Sequence, residues 1–522
     1  MSLYSPLFGA YDSVEKVAGE GDNAMEVIEV NYDTDSMDDF IVPDAPCDLG
    51  RQLQQCQPAG HAEAMGRISG TPHGKEKSAE QMDAIVAICR QRGDMLVVMR
   101  TGGGKSMLWE IPPLIGFEGI SIVVCPFKIL LDEQYERCDA AGVRSHNYSI
   151  SKVVPENVQN IFVQVEHVGS DAFVQLLASP MGQRIKRIFV DELHDVAHGH
   201  PKRRPRWDVL ARQFSALSAK IILMTATCPP LAVPHFLKPF DMRPKDVLTI
   251  RGPTDRPEIG LHAIRVLPTL QNVPLHQIVR ALHDRLEQHE RMLVFFNTKR
   301  EAEMFAKASG SAVFHSDLWE AGNTKAYNLD RWDSGDTKVM ACTTAFTQGI
   351  NRPHVRFVVV FEPDLGLLVT MQMVGRAGRD GVESHAFLVG TSTTMPYAVK
   401  GIGAYQCNFL TVQLMLTNQC RVYTSMKYLN RVGMPYECKD HPSRVPCDNC
   451  DPFGMIHKSA CAASKITTGP IQKLWAPLAT EAAAPSLLTP GHGAKVRAVP
   501  AFARRQTRRT ELPTGATCRH TA

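Results

Sequence analysis

Three short stretches carry residues whose types and spacing suit chemistry on phosphate. The run Arg100-Thr101-Gly102-Gly103-Gly104-Lys105-Ser106 follows the apolar segment MLVVM (95–99) and precedes a helix-like stretch opened by Met107. Successive glycines let backbone N–H groups turn inward around a polyphosphate, and the N-terminus of the following helix adds its dipole. Lys105 has the reach for β- and γ-phosphates, and the Ser106 hydroxyl is a Mg²⁺ ligand. Met99 stands where the strict spacing of such loops calls for glycine. The second stretch, Asp191-Glu192-Leu193-His194, comes directly after the apolar run RIFV (187–190). A carboxylate at a strand end, here Asp191, holds Mg²⁺, and Glu192 orients or deprotonates an attacking water. His194 would sense the γ-phosphate. The third is Gln372 with Gly375-Arg376-Ala377-Gly378-Arg379-Asp380-Gly381. Arg376 and Arg379, three apart on one helical face, supply the positive charge that hydrolysis requires as negative charge builds on the γ-phosphoryl oxygens. Taken singly, the stretches also read as a glycine turn, a charged helix face and a basic surface turn. Together they describe a site that hydrolyses a nucleoside triphosphate, with arginines inserted from a second domain.

A fourth cluster is made of cysteines. Cys447-Asp448-Asn449-Cys450 is a CxxC knuckle, Cys438 lies nine residues earlier, and Cys420 opens the helical stretch CRVYTSMKYL. Four thiolates close a tetrahedral zinc site, and a redox pair is the competing reading of CxxC. His441 is an alternative to Cys438 as the second ligand. Cys407 and Cys461 read as buried or free thiols.

Elements must position these groups. MLVVM (95–99), ISIVVC (120–125), RIFV (187–190) and KIILM (220–224) are short β-rich runs, each followed by turn residues and a helix-like segment. A second series comprises MLVFF (292–296), SAVF (311–314), KVMAC (338–342) and VRFVVVF (355–361). Buried strands alternating with helices imply parallel sheets, and two sets imply two such domains meeting near RGPTDRPEIG (251–260). The 522 residues, 44% hydrophobic and 7% aromatic, suit a chain with a large buried core and exclude a fibrous or wholly disordered one. Fourteen cysteines are too sparse for a disulfide scaffold. No run approaches the ~18 apolar residues of a spanning helix, and MSLYSPLFGAYDSVEKV lacks the pattern of a secretory signal. The formal charge is only +3 but unevenly placed. Residues 1–50 hold twelve acidic residues against Lys16, and residues 470–522 hold eight Lys or Arg against Glu481 and Glu511, leaving +8 on 51–469. Both ends are expected to be disordered. The RRQTRR run of the tail would contact phosphate or serve as a nuclear import signal, which places the protein in the nucleus; a solvated tail without a partner is the alternative.

The chain resembles RecQ-type DNA helicases of superfamily 2. The resemblance is carried by RGDMLVVMRTGGGKS (92–106), IVVCPFKILLDEQ (122–134), DELH (191–194), LMTAT (223–227), ACTTAFTQGINRPHVRFVVVFE (341–362) and QMVGRAGRDG (372–381), and covers roughly residues 66–455. The acidic and basic ends make it similar to fungal telomere-linked RecQ-like helicases. The family implies an α/β fold of two tandem RecA-like parallel-sheet domains (66–252 and 253–400) followed by a small helical zinc-binding module (401–455). An acidic segment 1–65 and a basic tail 456–522 would flank them. It implies ATP, Mg²⁺ and Zn²⁺ as cofactors, with Thr101, Gly102, Gly103, Gly104, Lys105, Ser106 and Met107 around the nucleotide and Gln81 reading the adenine edge. Ser106 and Asp191 would hold Mg²⁺. The catalytic set would be Lys105, Asp191, Glu192, His194, Gln372, Arg376 and Arg379, and Cys420, Cys438, Cys447 and Cys450 would hold zinc. Thr225, Ala226 and Thr227 would couple the first domain to DNA, and Thr343, Thr344 and Gln348 would touch one strand. The partners implied are single-stranded DNA and duplex junctions, with stepping 3′→5′; no membrane and no protein partner is indicated.

Two departures stand out. The family stacks single-stranded DNA on an aromatic-rich loop after DExH. Here the loop is DVAHGHPKRRPRW (195–207), with Gly199 and Arg203 where Trp and Phe are expected, leaving His198, His200 and Trp207. No winged-helix segment is expected after residue 455, which leaves a shortened motor, a translocase with poor unwinding or a truncated gene product as the readings. A DNA-binding scaffold with a silent ATPase, and an RNA-directed helicase of the same superfamily, are the rival readings.

Overall fold

The computed structural model describes residues 60–69, 76–90, 92–194, 204–267, 272–318, 324–347, 350, 352–391, 408–430 and 435–465. Its first sheet has seven parallel strands: β1 (Met95–Val98), β2 (Ile120–Cys125), β3 (Ser145–Asn147), β4 (Asn160–Gln164), β5 (Ile185–Val190), β6 (Lys220–Thr225) and β7 (Leu248–Arg251). Their order is β3-β4-β2-β5-β6-β1-β7. The strand MLVV shows why the apolar runs are continuous. Leu96 and Val98 enter the core on one face while Met95 and Val97 enter the core on the other, so no position faces water. The order sets β5, β6 and β1 side by side, and in open parallel sheets the crevice beyond the carboxyl ends is where ligands bind.

The second sheet has six parallel strands: β8 (Ile259–Val266), β9 (Arg291–Phe295), β10 (Ala312–Phe314), β11 (Val339–Cys342), β12 (Val355–Phe361) and β13 (Ser384–Thr391), ordered β10-β11-β9-β12-β13-β8. β8 and β13 share an eight-residue register from Ile259↔Ser384 to Val266↔Thr391. The chain passes from one sheet to the other between Arg251 and Ile259, within the stretch where the sequence changes character. All the apolar runs named above form strands. β3, β4, β7, β8 and β13 do not announce themselves, because polar residues interrupt their apolar pattern. Some interruptions find partners inside: His262 of β8 and His385 of β13 share a hydrogen bond of 2.9 Å, and Asn160 Nδ2 donates to the Trp109 carbonyl at 3.0 Å.

The helices Asn408–Leu416 and Arg421–Leu429 and the loop 435–450 form no separate body. Val422, Met426, Leu414, Cys420, Cys438 and Cys447 belong to the same core cluster as β12 and β13. The two ends differ from expectation where they enter the described residues. The acidic segment gives way at residue 61 to a helix, His61–Ser69, which inserts Ala64 and Met65 into the first core. The tail, expected to be unstructured from 456, begins as the helix Met455–Ser464, whose Ala460 packs into the core beside the helix Val273–His283. Small alanines at 460 and 463 permit this close approach. Residues 1–59 and 466–522, with RRQTRR, lie outside the described residues, as do His198, Gly199, His200, Arg203, Gln348 and Cys407. Among the described residues no helix is long and apolar enough to cross a membrane.

Candidate active site

The phosphate loop begins where β1 ends. Gly102 and Gly104 adopt φ of +80° and +82°, a region that costs an L side chain roughly 1 kcal/mol or more. A Cβ at Gly104 would also stand 2.1 Å from the Gln81 amide nitrogen, and one at Gly103 would stand 2.9 Å from the Arg100 carbonyl. The three glycines are therefore required by this backbone path. Lys105 lies beneath the turn, its Nζ donating to the carbonyls of Met99 (3.1 Å) and Arg100 (3.5 Å). Ser106 opens the helix Met107–Leu114 and makes no capping bond with its hydroxyl. Gln81 is fully buried and spends its amide on the loop: Oε1 accepts from the Lys77 N–H (2.8 Å), and Nε2 donates to the Gly104 carbonyl (2.9 Å). In this state it braces the glycine turn from below.

At the end of β5, Asp191 is buried and its Oδ1 accepts the Glu192 backbone N–H at 2.9 Å. Burial, then the charge of Glu192, raises the Asp191 carboxyl to about 7, with Lys105 and His194 pulling the other way. Burial also acts to raise Glu192, but the hydrogen bond and charge of His194, with Lys105 and Arg376, outweigh it and hold this carboxylate low. A carboxyl that is reluctant to ionise beside one that is ionised is a site short of positive charge, and a divalent cation on Asp191 and Ser106 fits that deficit. Glu192 itself sits at φ 51°, in the left-handed region that a non-glycine residue rarely occupies. Sequence reasoning did not foresee that strain. His194 Nδ1 lies 3.2 Å from Glu192 Oε2 and 3.4 Å from Thr225 Oγ1, linking β5 to β6. The Thr225 hydroxyl donates to the Thr227 carbonyl and accepts its N–H, both at 3.2 Å.

The second sheet contributes the facing wall. Gln372, on the helix Leu367–Val374, donates from Nε2 to Thr227 Oγ1 at 3.4 Å. Arg376 and Arg379 each donate to the Ile350 carbonyl, at 3.2 and 3.3 Å. Burial lowers Arg376 to about 10 while Glu192 opposes it, so the guanidinium stays charged at neutral pH and faces Glu192 across the gap. Burial, Arg376 and Arg256 lower Arg379 in the same direction. A small cavity between the walls is lined by Thr101, Thr227, Arg256, Gln372 and Gly375.

Several residues of this site were not singled out from sequence. Lys77 donates from Nζ to the Gly102 carbonyl at 3.3 Å, and burial lowers its ammonium. Glu110, wholly buried behind the loop, pairs with Arg137 (Nε–Oε1 3.1 Å), and burial raises its carboxyl to about 7. Arg256 lies between the sheets with no surrounding motif, and its contacts appear only in three dimensions. Trp207, one of the rings left in the segment after DELH, is 1% exposed in the first core. Its place on the apolar face of the helix Arg204–Ser215, with Leu210, Ala211 and Phe214, puts it there. Of the residues expected to touch a strand, Thr343 is buried and its hydroxyl accepts the Ala345 N–H at 3.5 Å, and Thr344 is half-buried.

Cys420, Cys438, Cys447 and Cys450 bring their sulfurs within 4.8 Å of one another. Cys420 and Cys438 are 3.6 Å apart and Cys420 and Cys447 4.0 Å. A zinc ion with bonds of about 2.3 Å needs sulfurs roughly 3.8 Å apart, so the donor set fits. Hydrogen bonding with Cys438 and Cys447 holds the Cys420 thiol well below its usual value, which readies a thiolate. His441 is turned away, stacked on Tyr436 with ring centroids 5.5 Å apart, so Cys438 completes the group. Arg421 locks the knuckle through Asp448 (2.5 Å) and Asn449 (3.3 Å).

Comparison with known proteins agrees with this geometry. Residues 78–233 match the DEAD/DEAH box helicase family and residues 274–381 the helicase conserved C-terminal domain. The chain is similar to the ATP-dependent DNA helicase RecQ of Haemophilus influenzae, 27% identical over 312 residues, which is 56% of this chain and 48% of that protein. It is also similar to the ATP-dependent DNA helicase RecQ of Synechocystis sp., 27% identical over 337 residues, covering 61% and 68%. The chain spans about half the length of the first curated relatives it matches. Among solved structures, the DEAD-box helicase Mss116 bound to ssRNA and UDP-BeF superposes with a TM-score of 0.52 at 12% identity, covering 73% of this chain and 86% of that one. The paired parallel sheets thus carry a DEAD/DEAH box helicase domain and a helicase conserved C-terminal domain, and the chain is similar to RecQ helicases over more than half of its length.

Proposed function

We propose that this protein is an ATP- and Mg²⁺-dependent DNA helicase or translocase that steps 3′→5′ along one strand. The observation that carries the reading is the meeting of two walls: the phosphate loop and Asp191-Glu192-His194 on one sheet, and Gln372, Arg376 and Arg379 on the other, in contact through Gln372 and Thr227. ATP would lie on the loop amides, with Lys105 released from the Met99 and Arg100 carbonyls to the β- and γ-phosphates. Thr101, Gly102, Gly103, Gly104, Ser106 and Met107 would enclose the phosphates, and Gln81 would read adenine at the edge it now braces. Mg²⁺ on Ser106 and Asp191 would screen the phosphate charge and favour loss of the Asp191 proton. Glu192, kept ionised by His194, accepts the proton of the attacking water. Arg376 and Arg379 stabilise the charge that develops on the transferred group. The chain His194–Thr225–Thr227–Gln372 carries the state of that group to the second sheet, whose movement advances the strand. Zn²⁺ on the four cysteines would be structural, and single-stranded DNA and duplex junctions would be the substrates. We place the protein in the nucleus on the strength of the RRQTRR run.

The test is ATP hydrolysis with and without single-stranded DNA, beside Lys105→Ala. Stimulation that Lys105→Ala abolishes is the expected result; equal turnover in Lys105→Ala overturns the site. A second reading, a DNA-binding scaffold with a silent ATPase, is favoured by one observation. Trp207, the one Trp, Phe or Tyr of the segment 195–207, is committed to the core and is not a platform for stacked bases. DNA binding without stimulated hydrolysis would establish that reading, and stronger activation by RNA than by DNA would redirect the substrate.

A further inference from the structure

Arg256 belongs to the short segment between the two sheets, after β7 ends at Arg251 and before β8 begins at Ile259. Its side chain is nearly buried and forked. Nη2 donates to the carbonyls of Ala377 (3.0 Å) and Gly378 (2.9 Å), Nη1 to that of Gly375 (3.2 Å), and Nε pairs with Glu258 at 2.5 Å. These three carbonyls belong to the turn that carries Arg376 and leads into Arg379. They follow the end of the helix Leu367–Val374, where carbonyls have run out of intrahelical donors. A planar guanidinium, with five donors in a fixed fork, can engage three such oxygens at once; an ammonium cannot hold the same geometry. The rest of the segment is tied on both sides. The Thr254 N–H and hydroxyl donate to Asn430 Oδ1 at 3.0 and 2.9 Å, and the Asp255 carboxylate is held by Tyr436 and Arg444. The Asp255 carbonyl accepts from Arg100, the residue that leads into the phosphate loop, at 3.4 Å.

We propose that Arg256 is a positioning residue of the hydrolytic reaction. It fixes the turn from behind so that Arg376 and Arg379 stand at a set place opposite the phosphate loop, and it ties that turn to the segment joining the sheets. Movement of one sheet against the other then carries both arginines as a unit. The proposal rests on the reading that Arg376 and Arg379 act on the phosphoryl group.

The test compares Arg256→Ala and Arg256→Lys with the parent full-length protein, using single-stranded DNA as activator. Displacement of a reacting group by about 1 Å costs on the order of a hundredfold. Both variants are expected to lose roughly 10- to 100-fold in kcat while the Kd for a non-hydrolysable ATP analogue stays within about twofold. The shared loss in Arg256→Lys, which keeps the charge, assigns the effect to the fork. Arg256→Ala should cost less in an Arg376→Ala background than in the parent, because one of the two arginines it places is already absent. Unchanged kcat, an additive double variant, or a loss confined to analogue binding overturns the proposal. Hydrogen exchange provides an arm free of turnover: the amides of residues 375–381 should exchange faster in Arg256→Ala without nucleotide, and unchanged protection overturns the proposal. If instead the parent protein, or Arg376→Ala, shows that the arginines take no part in hydrolysis, the functional reading falls, while the exchange result still decides whether Arg256 holds the turn.

Discussion

The two sheets place a glutamate at the same point and use it in opposite ways. Glu192 follows β5 and Asp191, and Glu362 follows β12 directly; both adopt left-handed backbone, at φ 51° and 52°. Around Glu362 the strain is repaid locally. Its N–H donates to the Val389 carbonyl (2.8 Å), its carboxylate accepts the Thr391 N–H (3.2 Å), and its carbonyl accepts from Asn297 (2.6 Å). Around Glu192 the partners are titratable groups instead: His194, Asp191, Lys105 and the arginine from the facing wall. The same backbone device thus serves as a joint in one sheet and presents an ionised carboxylate to charged neighbours in the other. A repeated fold does not repeat its chemistry; the neighbours decide it.

Variants that treat the two glutamates alike should separate the two roles. Glu192→Gln is expected to lower DNA-stimulated kcat by roughly 10²–10⁴, the range for a general base, with little change in melting temperature. Glu362→Gln should leave kcat within about twofold and lower stability by about 1 kcal/mol, the worth of a weakened hydrogen bond. Equal losses of kcat would show that the sheets share the chemistry. Next in size are two glycines of positive φ. Gly104→Ala meets both the strained φ and the Gln81 amide, so nucleotide affinity by fluorescence titration should fall at least about tenfold. Gly310, at φ +71° after the helix Lys299–Ser309, has open space around it. Gly310→Ala should therefore cost only about 1 kcal/mol in a thermal melt and leave nucleotide affinity unchanged.

The last contrast is in pH. Burial raises Glu110 of the first domain from 4.5 to about 7, so the folded state holds a proton that the unfolded state releases. Its stability is present below pH 4.5 and lost as pH rises toward 7, by up to about 3 kcal/mol. Burial lowers His276 of the second domain from 6.5 to about 4, which has the opposite sign: stability is present above pH 6.5 and lost as pH falls toward 4. The two windows overlap, so the opposing slopes offset each other; in melts across this range Glu110→Gln should leave stability rising with pH, and His276→Gln should leave it falling. A wild-type profile that neither variant alters would show that both groups titrate normally in the fold.

What could be read from the sequence divides along physical lines. Strands buried on both faces, such as MLVV and VRFVVVF, are legible because every position is apolar. SHAFLVGT and IGLHAIRV were not, because His385 and His262 are hydrogen-bonded to each other, a pairing between strands far apart in the chain. The phosphate loop and the DELH and GRAGRDG stretches were readable because local spacing is itself the chemistry. Lys77, Glu110 and Arg256 were not, since each acts on backbone or side chains well removed in sequence. The burial of Trp207 was not readable for a related reason: the motif before it says nothing of the helix that carries it.

The register of β8 with β13 also sets an order of assembly during synthesis. The first sheet is complete once β7 emerges at Arg251, so that half can condense while the ribosome is still working. The second sheet cannot, because its edge strand 259–266 has no partner until 384–391 is made, and the cysteine-bearing layer over one face comes later still. Until then β8 is an unpaired strand held beside a finished domain, a configuration prone to association with neighbouring chains. Slowing translation after residue 391 should spare the protein little; slowing it before should expose that edge for longer, and soluble yield should fall.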